Sequence, residues 1–409
     1  MNALRNILIL FLLTACSSRE AGTSYSFRRY MENGVTVAET TGGPKYSDPL
    51  FHYEPILTLR EDPAKPDSYL FNPGRFSMDA DGLIYVTDRG NQRIAVFNGD
   101  GAYIRSFGRK GEGPGEFLSM SLLYIHNDII NLYDYRNRRA TLFRTDGTLL
   151  DVITPWDPYR YTWDIYQTPE GPRVYIVSAE DLREGGYDWN GLEAFIIGAD
   201  GEEIATIATP RVANYYAVDF AGGYGSFRIE YAGSPVMQYY PNRGILVTSG
   251  EEPALYWYDS TGSLTAIIRI QIEPEPVTDE ERRIIQQRFN EHNEMTSERN
   301  PDMARAERNV FKIRDYKAFW NDAYVDDAGY VWLQLTEMRA VEEYGGPAFH
   351  VLSPDGEYLG NTRSPVTGLL SSCAIAQGRF MGYAVDPETG ERIPTIFQII
   401  ATVEGLEYP

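Results

Sequence analysis

Cysteine is nearly absent. Cys16 and Cys373 are the only two in 409 residues, so no disulfide framework can staple the fold and a sizeable hydrophobic core has to hold it. Histidine is as sparse: His52, His126, His292 and His350 form neither HxxH nor HExxH, so no local zinc signal exists. Positive charge is scarce too. The 37 Lys and Arg face 58 Asp and Glu for a net charge of −21, a balance that repels phosphate backbones and anionic lipid and argues against a nucleic-acid partner.

What is present begins at the N-terminus. MNALRNILILFLLTACSSRE carries a short basic region with Arg5, an apolar run at residues 7–13 and small residues before the first polar stretch, the three parts of a secretory signal. The run is too short to be a permanent membrane helix. Leu13-Thr14-Ala15-Cys16 resembles the lipobox of bacterial lipoproteins, in which the Cys thiol is diacylated and the chain is cut just before it. The expectation is a signal peptide at 1–15, lipidation of Cys16, and a polar tether at 16–30 leading into one domain at 31–409. Two or three acyl chains anchor firmly where one binds reversibly, each buried methylene adding about 0.8 kcal/mol. Membrane contact should come from that lipid alone. The absence of Asp after Cys16 favours the outer membrane.

A repeat dominates the rest. Residues 75–108, RFSMDADGLIYVTDRGNQRIAVFNGDGAYIRSFG, divide into four short apolar strands with Asp-Gly turns between them. The unit recurs at about 118–153, 163–207, 235–272 and 318–360, its outer turn marked by Asp100-Gly101, Asp146-Gly147, Asp200-Gly201, Thr261-Gly262 and Asp355-Gly356. A sixth unit starts near Val366 and runs out of chain after three strands. The spare β-prone stretch EPILTL at 54–59 is expected to supply its missing outer strand, since an open edge is avoided in natural folds. Residues 278–315 break the pattern. They are rich in helix formers, with Asp279 as a candidate cap and Pro301 dividing two helices after Asn300. The fold class is therefore all-β: a six-bladed β-propeller, an N-terminal strand completing the last blade, and a helical insertion between blades four and five. That insertion lies across one channel mouth or pads the rim.

The stretch FSMDADGLIYVTDRGNQRIAVFNGDGAYIRSFGRKGEGPGEF resembles NHL repeats, and more closely the lipobox-bearing six-bladed propeller proteins of Bacteroidetes and related bacteria. The residues matching the NHL signature are Asp88, Gly90, Asn91 and Arg93. Their chemistry suits scaffolding: Asp88 can accept backbone hydrogen bonds across the turn, Gly90 and Asn91 can turn left-handed, and Arg93 can pair with a carboxylate. The resemblance extends to the peptidyl-hydroxyglycine amidating lyase, whose metal and His, Arg and Tyr groups map onto no motif of this chain.

Candidate ligand contacts fall in three stretches. Arg109 and Lys110 are a basic pair within the Gly-rich connection at 107–117, which lacks the order of a phosphate loop. Trp156, Tyr159, Tyr161 and Trp163 crowd one interblade connection; Tyr215, Tyr216 and Tyr224 crowd another. Rings in such density suit a glycan or peptide platform, or plug wide channel edges. The turn carboxylates Asp79, Asp81, Asp88, Asp134, Asp146, Asp326 and Asp327 show no calcium-loop register, so no cofactor is expected, although propellers bring distant blades together and a channel calcium or zinc is compatible with the fold. Cys373 reads as a buried small hydrophobe. The first functional reading is a membrane-tethered binding or scaffold propeller that recognises a glycan, peptide or envelope protein. Its alternative is a lyase or hydrolase working in the channel mouth. Enzyme and binder are told apart by whether two or more of His, Asp, Glu, Arg and Tyr share a pocket with shifted pKa values.

Replacing Cys16 with Ala should move the protein from the detergent phase to the aqueous phase in a Triton X-114 partition; retention in detergent would contradict a purely lipid anchor.

Overall fold

The computed structural model describes residues 24–180, 182–337, 346–366, 373–385, 390 and 392–409, the side chain of Leu122 excepted. Cys16 and the signal segment lie outside the described residues.

Six four-stranded antiparallel units follow one another along the chain. The first holds Pro73–Met78, Ile84–Asp88, Arg93–Phe97 and Tyr103–Phe107; the second Met120–His126, Ile129–Asp134, Arg139–Arg144 and Leu149–Ile153. The third is Thr162–Gln167, Arg173–Ser178, Leu192–Ile197 and Glu203–Ala208, and the fourth Val236–Tyr240, Gly244–Thr248, Ala254–Tyr258 and Leu264–Ile270. The fifth is Asp322–Val325, Val331–Gln334, Ala348–Leu352 and Tyr358–Arg363. The sixth contains Ala374–Ala376, Arg379–Val385 and Arg392–Ala401, and takes its outermost strand from the other end of the chain. Phe51–Thr58 pairs antiparallel with Arg392–Ala401, Phe51 opposite Ala401 and Thr58 opposite Thr395. This is the strand expected at 54–59.

The outer turns repeat closely. In five blades the glycine at 101, 147, 201, 262 or 356 has a positive φ of 81–93° and donates its N–H to the carbonyl three residues earlier. That left-handed conformation is why glycine recurs there. Asp88 accepts from the N–H of Phe71 at 2.9 Å, from Asn91 Nδ2 at 2.7 Å and from Arg93 Nε at 3.1 Å. Asp134 holds the matching place in the second blade, accepting from Leu118, Ser119, Arg136 and Asn137. One expectation is corrected: the left-handed residue is Gln92, φ 53°, with Arg138 at 49° in the second blade. Gly90 is required for space, because a Cβ there would overlap Phe71.

Second strands are buried on both faces, and alternation sends successive side chains to opposite neighbours. Ile84 and Val86 pack with Met381 and Ile396 of the sixth blade, whereas Tyr85 packs with Ile130 and Leu132 of the second blade. Tyr133 meets Ile165 and Tyr175, and Val174 and Ile176 meet Ile245 and Val247. Leu246 and Leu255 meet Val331 and Leu333, and Trp332 and Phe349 meet Ile375 and Phe380. Each sheet thus packs on the next, and the sixth on the first.

Three additions stand outside this cycle. Val35–Thr41 runs parallel to Leu264–Ile270 and Ser26–Glu32 lies beyond it, making the fourth sheet six-stranded. Residues 26–30, expected in the tether, therefore belong to a strand. A second sheet joins Leu182–Glu184 and Tyr187–Asn190, a hairpin inserted in the third blade, to Val212–Phe220 and Gly223–Arg228. Helices α1 (Asp279–Arg299) and α2 (Pro301–Val310) follow the fourth blade. The α1 cap is Thr278, one residue before the expected Asp279, in a reciprocal box with Glu281; Asn300 caps α2 with Pro301 at its first position. The α2 helix packs on Val212–Phe220.

Phe51 is buried and its ring lies 5.2 Å from that of Trp332 and 4.8 Å from that of Tyr408. Phe51→Ala should cost about 3–5 kcal/mol and lower the melting temperature by several degrees, against a small effect for Phe27→Ala on the added strand. Equal melts in calorimetry would contradict a stabilising role for the N-terminal strand in the sixth sheet.

Candidate active site in the axial channel

The first strand of each blade faces the axis, where a cavity of about 610 Å³ is lined by five of the blades' first strands and the turn after the fourth's. Its walls include Arg75, Tyr124, His126, Tyr240, Tyr324 and Cys373; Asp326, Asp327 and Arg243 stand at one mouth.

Three charged residues occupy one register position. Arg75 lies seven residues before Gly82, Asp164 seven before Gly171 and Asp322 seven before Gly329, and each of these glycines turns the first strand into the second with positive φ. The trio therefore comes from blades one, three and five at one level of the channel. Burial pushes the Asp164 carboxyl up to about 7, against the pull of hydrogen bonds from Tyr166 and the Ile165 amide and of the Arg75 charge. Burial likewise pushes Asp322 up to about 6, opposed by the Ala323 amide and Arg75. Desolvation disfavours charge, and one guanidinium shared between two carboxyls only partly compensates. Asp326 is raised to about 6 by burial while accepting from Tyr408 at 2.6 Å and Trp332 at 3.0 Å.

Several polar atoms on the cavity-lining residues have no hydrogen-bond partner: Arg75 Nε, Tyr124 Oη and His126 Nε2. Buried groups in that state cost free energy unless water or a ligand satisfies them. Burial lowers the pKa of His126, so its imidazole is neutral at pH 7, and raises that of Tyr124, which keeps its proton. Burial also pushes the Cys373 thiol up to about 12, which removes it as a thiolate nucleophile. Among the described residues no three His, Cys, Asp or Glu side chains converge as a metal site.

Of the contacts expected from sequence, Tyr161 and Trp163 are brought together and the others are dispersed. Arg109 pairs with Glu116 at 2.7 Å, and Lys110 is exposed beside it. Trp156 packs on Phe195 at 5.2 Å. Tyr161 and Trp163 form an edge contact at 5.1 Å, with Tyr135 stacked on Tyr161 at 6.1 Å. These rings remain open: Tyr159 is 96 % exposed, Tyr161 55 %, Trp156 and Trp163 42 %. Asp164 and Arg75 both act on the Tyr135 hydroxyl, so this aromatic group borders the channel. Tyr215, Tyr216 and Tyr224 belong to the second sheet; Tyr216 is buried, and Tyr224 donates to Asp188.

Residues 67–171 match the profile of a family described as a 6-bladed β-propeller. No curated protein matches the chain. Similar solved structures include a protein of Bacteroides fragilis described as exported (12 % identity, TM-score 0.47, 86 % of this chain and 95 % of that one). A DUF4221 family member from Bacteroides vulgatus is 13 % identical, TM-score 0.41, over 86 % and 99 % of the two chains. The virginiamycin B lyase of Staphylococcus aureus is 11 % identical, TM-score 0.37, over 85 % and 99 %. The chain has a six-bladed β-propeller fold.

The raised carboxyls have a thermodynamic consequence. Asp164 binds its proton more tightly in the folded state, about 7 against 3.8, so stability is full below the unfolded value and falls as pH rises through about 4 to 7. Asp164→Asn should flatten that slope, so that its melting temperature relative to wild type is higher at pH 8 than at pH 4. An offset that does not change with pH would show that Asp164 titrates normally.

Proposed function

We propose that the protein is an enzyme of the lyase or hydrolase class whose reaction takes place in the axial channel on a small substrate bearing an anionic or strongly polarised oxygen. The observation that carries this reading is the unpaired trio Arg75 Nε, Tyr124 Oη and His126 Nε2 on residues lining one cavity. A desolvated guanidinium receives a carboxylate or a developing oxyanion. The neutral imidazole takes a proton, and the phenol, held protonated, gives one. Asp164 and Asp322, with pKa values near working pH, act as a proton reservoir beside Arg75.

A second reading rests on the open rings of Tyr159, Tyr161 and Trp163: a binding propeller that stacks a glycan or peptide at the channel edge. The two combine if the platform feeds the channel. Anchoring through lipid on Cys16, placement in the cell envelope at the outer membrane, and membership of the NHL-like propeller lipoproteins of Bacteroidetes complete the proposal. The acidic surface leaves nucleic acid outside the expected partners.

Incubating the protein with a small-molecule extract of bacterial envelopes and following masses that disappear tests the choice. The expected result is a species consumed by wild type, with His126→Ala and Arg75→Met each slower by about 100-fold or more. A mass retained but unconverted, and lost on Tyr161→Ala or Trp163→Ala, would replace the enzyme with the binder.

A further inference from the structure

The second sheet and the helical insertion belong to no blade, yet together they enclose a cleft of about 260 Å³. Its floor is aromatic. The rings of Phe289 in α1 and Phe311 lie parallel at 3.7 Å, Phe227 approaches Tyr216 at 4.7 Å, and Ile285 is buried beside them. Its rim is basic. Arg228, Arg288, Lys312 and Arg314 line it with one carboxylate, Glu230, in a chain with 37 basic and 58 acidic residues, and the charge left for a ligand is that of Arg228 and Lys312. Glu251 neutralises Arg314 through two contacts of 2.8 and 2.6 Å. Arg228 reaches Ser234 Oγ at 3.4 Å, and the Lys312 side chain is exposed.

The rim is held in place before any ligand arrives. The Tyr216 hydroxyl donates to the Lys312 carbonyl and accepts from the Lys312 N–H at 3.1 Å. The start of α1 is fastened by Glu281, which accepts from Tyr231 and Lys317 at 2.8 Å each. Met303 of α2 abuts Gly225, so the helices rest directly on the sheet. Neighbouring cations repel one another until an anion offsets them, and the fixed backbone beneath Lys312 limits the ordering cost of binding.

We propose that this cleft is a binding site for a small amphipathic carboxylate, its apolar body on Phe227, Phe289 and Phe311 and its charge at Arg228 and Lys312. The volume lies below the ~300–1,000 Å³ common for drug-sized ligands, which sets the occupant at about the size of a phenylalkanoate. The cleft shares no lining residue with the channel cavity.

The test uses 8-anilinonaphthalene-1-sulfonate as a fluorescent probe, displaced by 4-phenylbutyrate or by the neutral 4-phenylbutan-1-ol. One probe site per chain is expected. Phenylbutyrate should displace it at a concentration at least about tenfold below that of the alcohol, because the charged headgroup supplies the selectivity. The double variant Arg228→Glu/Lys312→Glu should weaken the probe by about tenfold or more at an unchanged melting temperature. Should it fold poorly, Lys312→Ala, at an exposed position, should still weaken binding by about threefold. Equal displacement by acid and alcohol, or affinities within a factor of two in both variants, would overturn the proposal. So would loss of the probe on Arg75→Met with the cleft variants unaffected, because that places the probe in the channel.

Discussion

Every blade of this protein has to hide two faces at once, and only a neighbour on each side can do that. A sheet with one wet face could end the molecule wherever the chain ran out. Here Ile84–Asp88 and Val331–Gln334 are buried along their whole length, so an uncovered sheet would expose Tyr85 on one face and Ile84 and Val86 on the other. The first and last sheets have to meet, and they do so through Ile84, Val86, Met381 and Ile396. The short last unit then needs a fourth strand, which only the N-terminal segment supplies. Tyr408, near the C-terminus, packs on Phe51 and Trp332 at the same joint, so the strand at 51–58 and the last residues of the chain meet where the fifth and sixth sheets touch.

Cyclic packing also fixes what the axis looks like. The first strands converge on the axis, and their side chains have no sheet to pair with on that side. Small or apolar residues there would leave a dry hole; instead the channel carries Arg75, Tyr124, Asp164, Tyr240, Asp322 and Tyr324. Tyrosine suits this place because its ring packs between strands while its hydroxyl reaches the axis. The cost of burying the carboxyls appears directly in their raised pKa values. Such a cluster is a poor way to stabilise a fold, which is why it is better understood as a site than as a strut.

Legibility in the sequence followed the range of the interactions. The outer turns and the Asp-x-x-Asn-x-Arg arrangement at Asp88 involve neighbours in the chain; the turns were visible as a repeat and Asp88 as a signature, whereas the matching role of Asp134 came from the structure. The helices were visible from composition and from Pro301. GVTVAE at 34–39 reads as β-prone and is part of a strand, but its partner was not visible, nor was the strand at 26–32, since pairing with Leu264–Ile270 is a contact between distant segments and depends on an open edge that no local pattern announces. The second sheet was hidden for the same reason: Tyr187–Asn190 and Val212–Phe220 looked like a long connection and an aromatic excess. The channel trio was the deepest miss, because three residues on separate blades share nothing but register. A signal did exist. Aligning the blades on Gly82, Gly171 and Gly329 brings Arg75, Asp164 and Asp322 into one column, a column of charge where a core strand should carry hydrophobes.

That column also fixes how the channel responds to an anion. With both carboxyls protonated the trio carries +1 from Arg75; with both ionised it carries +1 − 2 = −1. Burial raises Asp164 and Asp322 to about 7 and about 6, so the change of sign falls near neutral pH. An anion seated at Arg75 would repel both carboxylates and raise their proton affinity further, and by linkage its binding would carry protons in with it. Tyr124 feels the charge of Asp164, so under the proposed reading anion binding would be linked to proton supply at that phenol. A purely mechanical plug would need neither, and Val or Leu at positions 75, 164 and 322 would fill the space at lower cost.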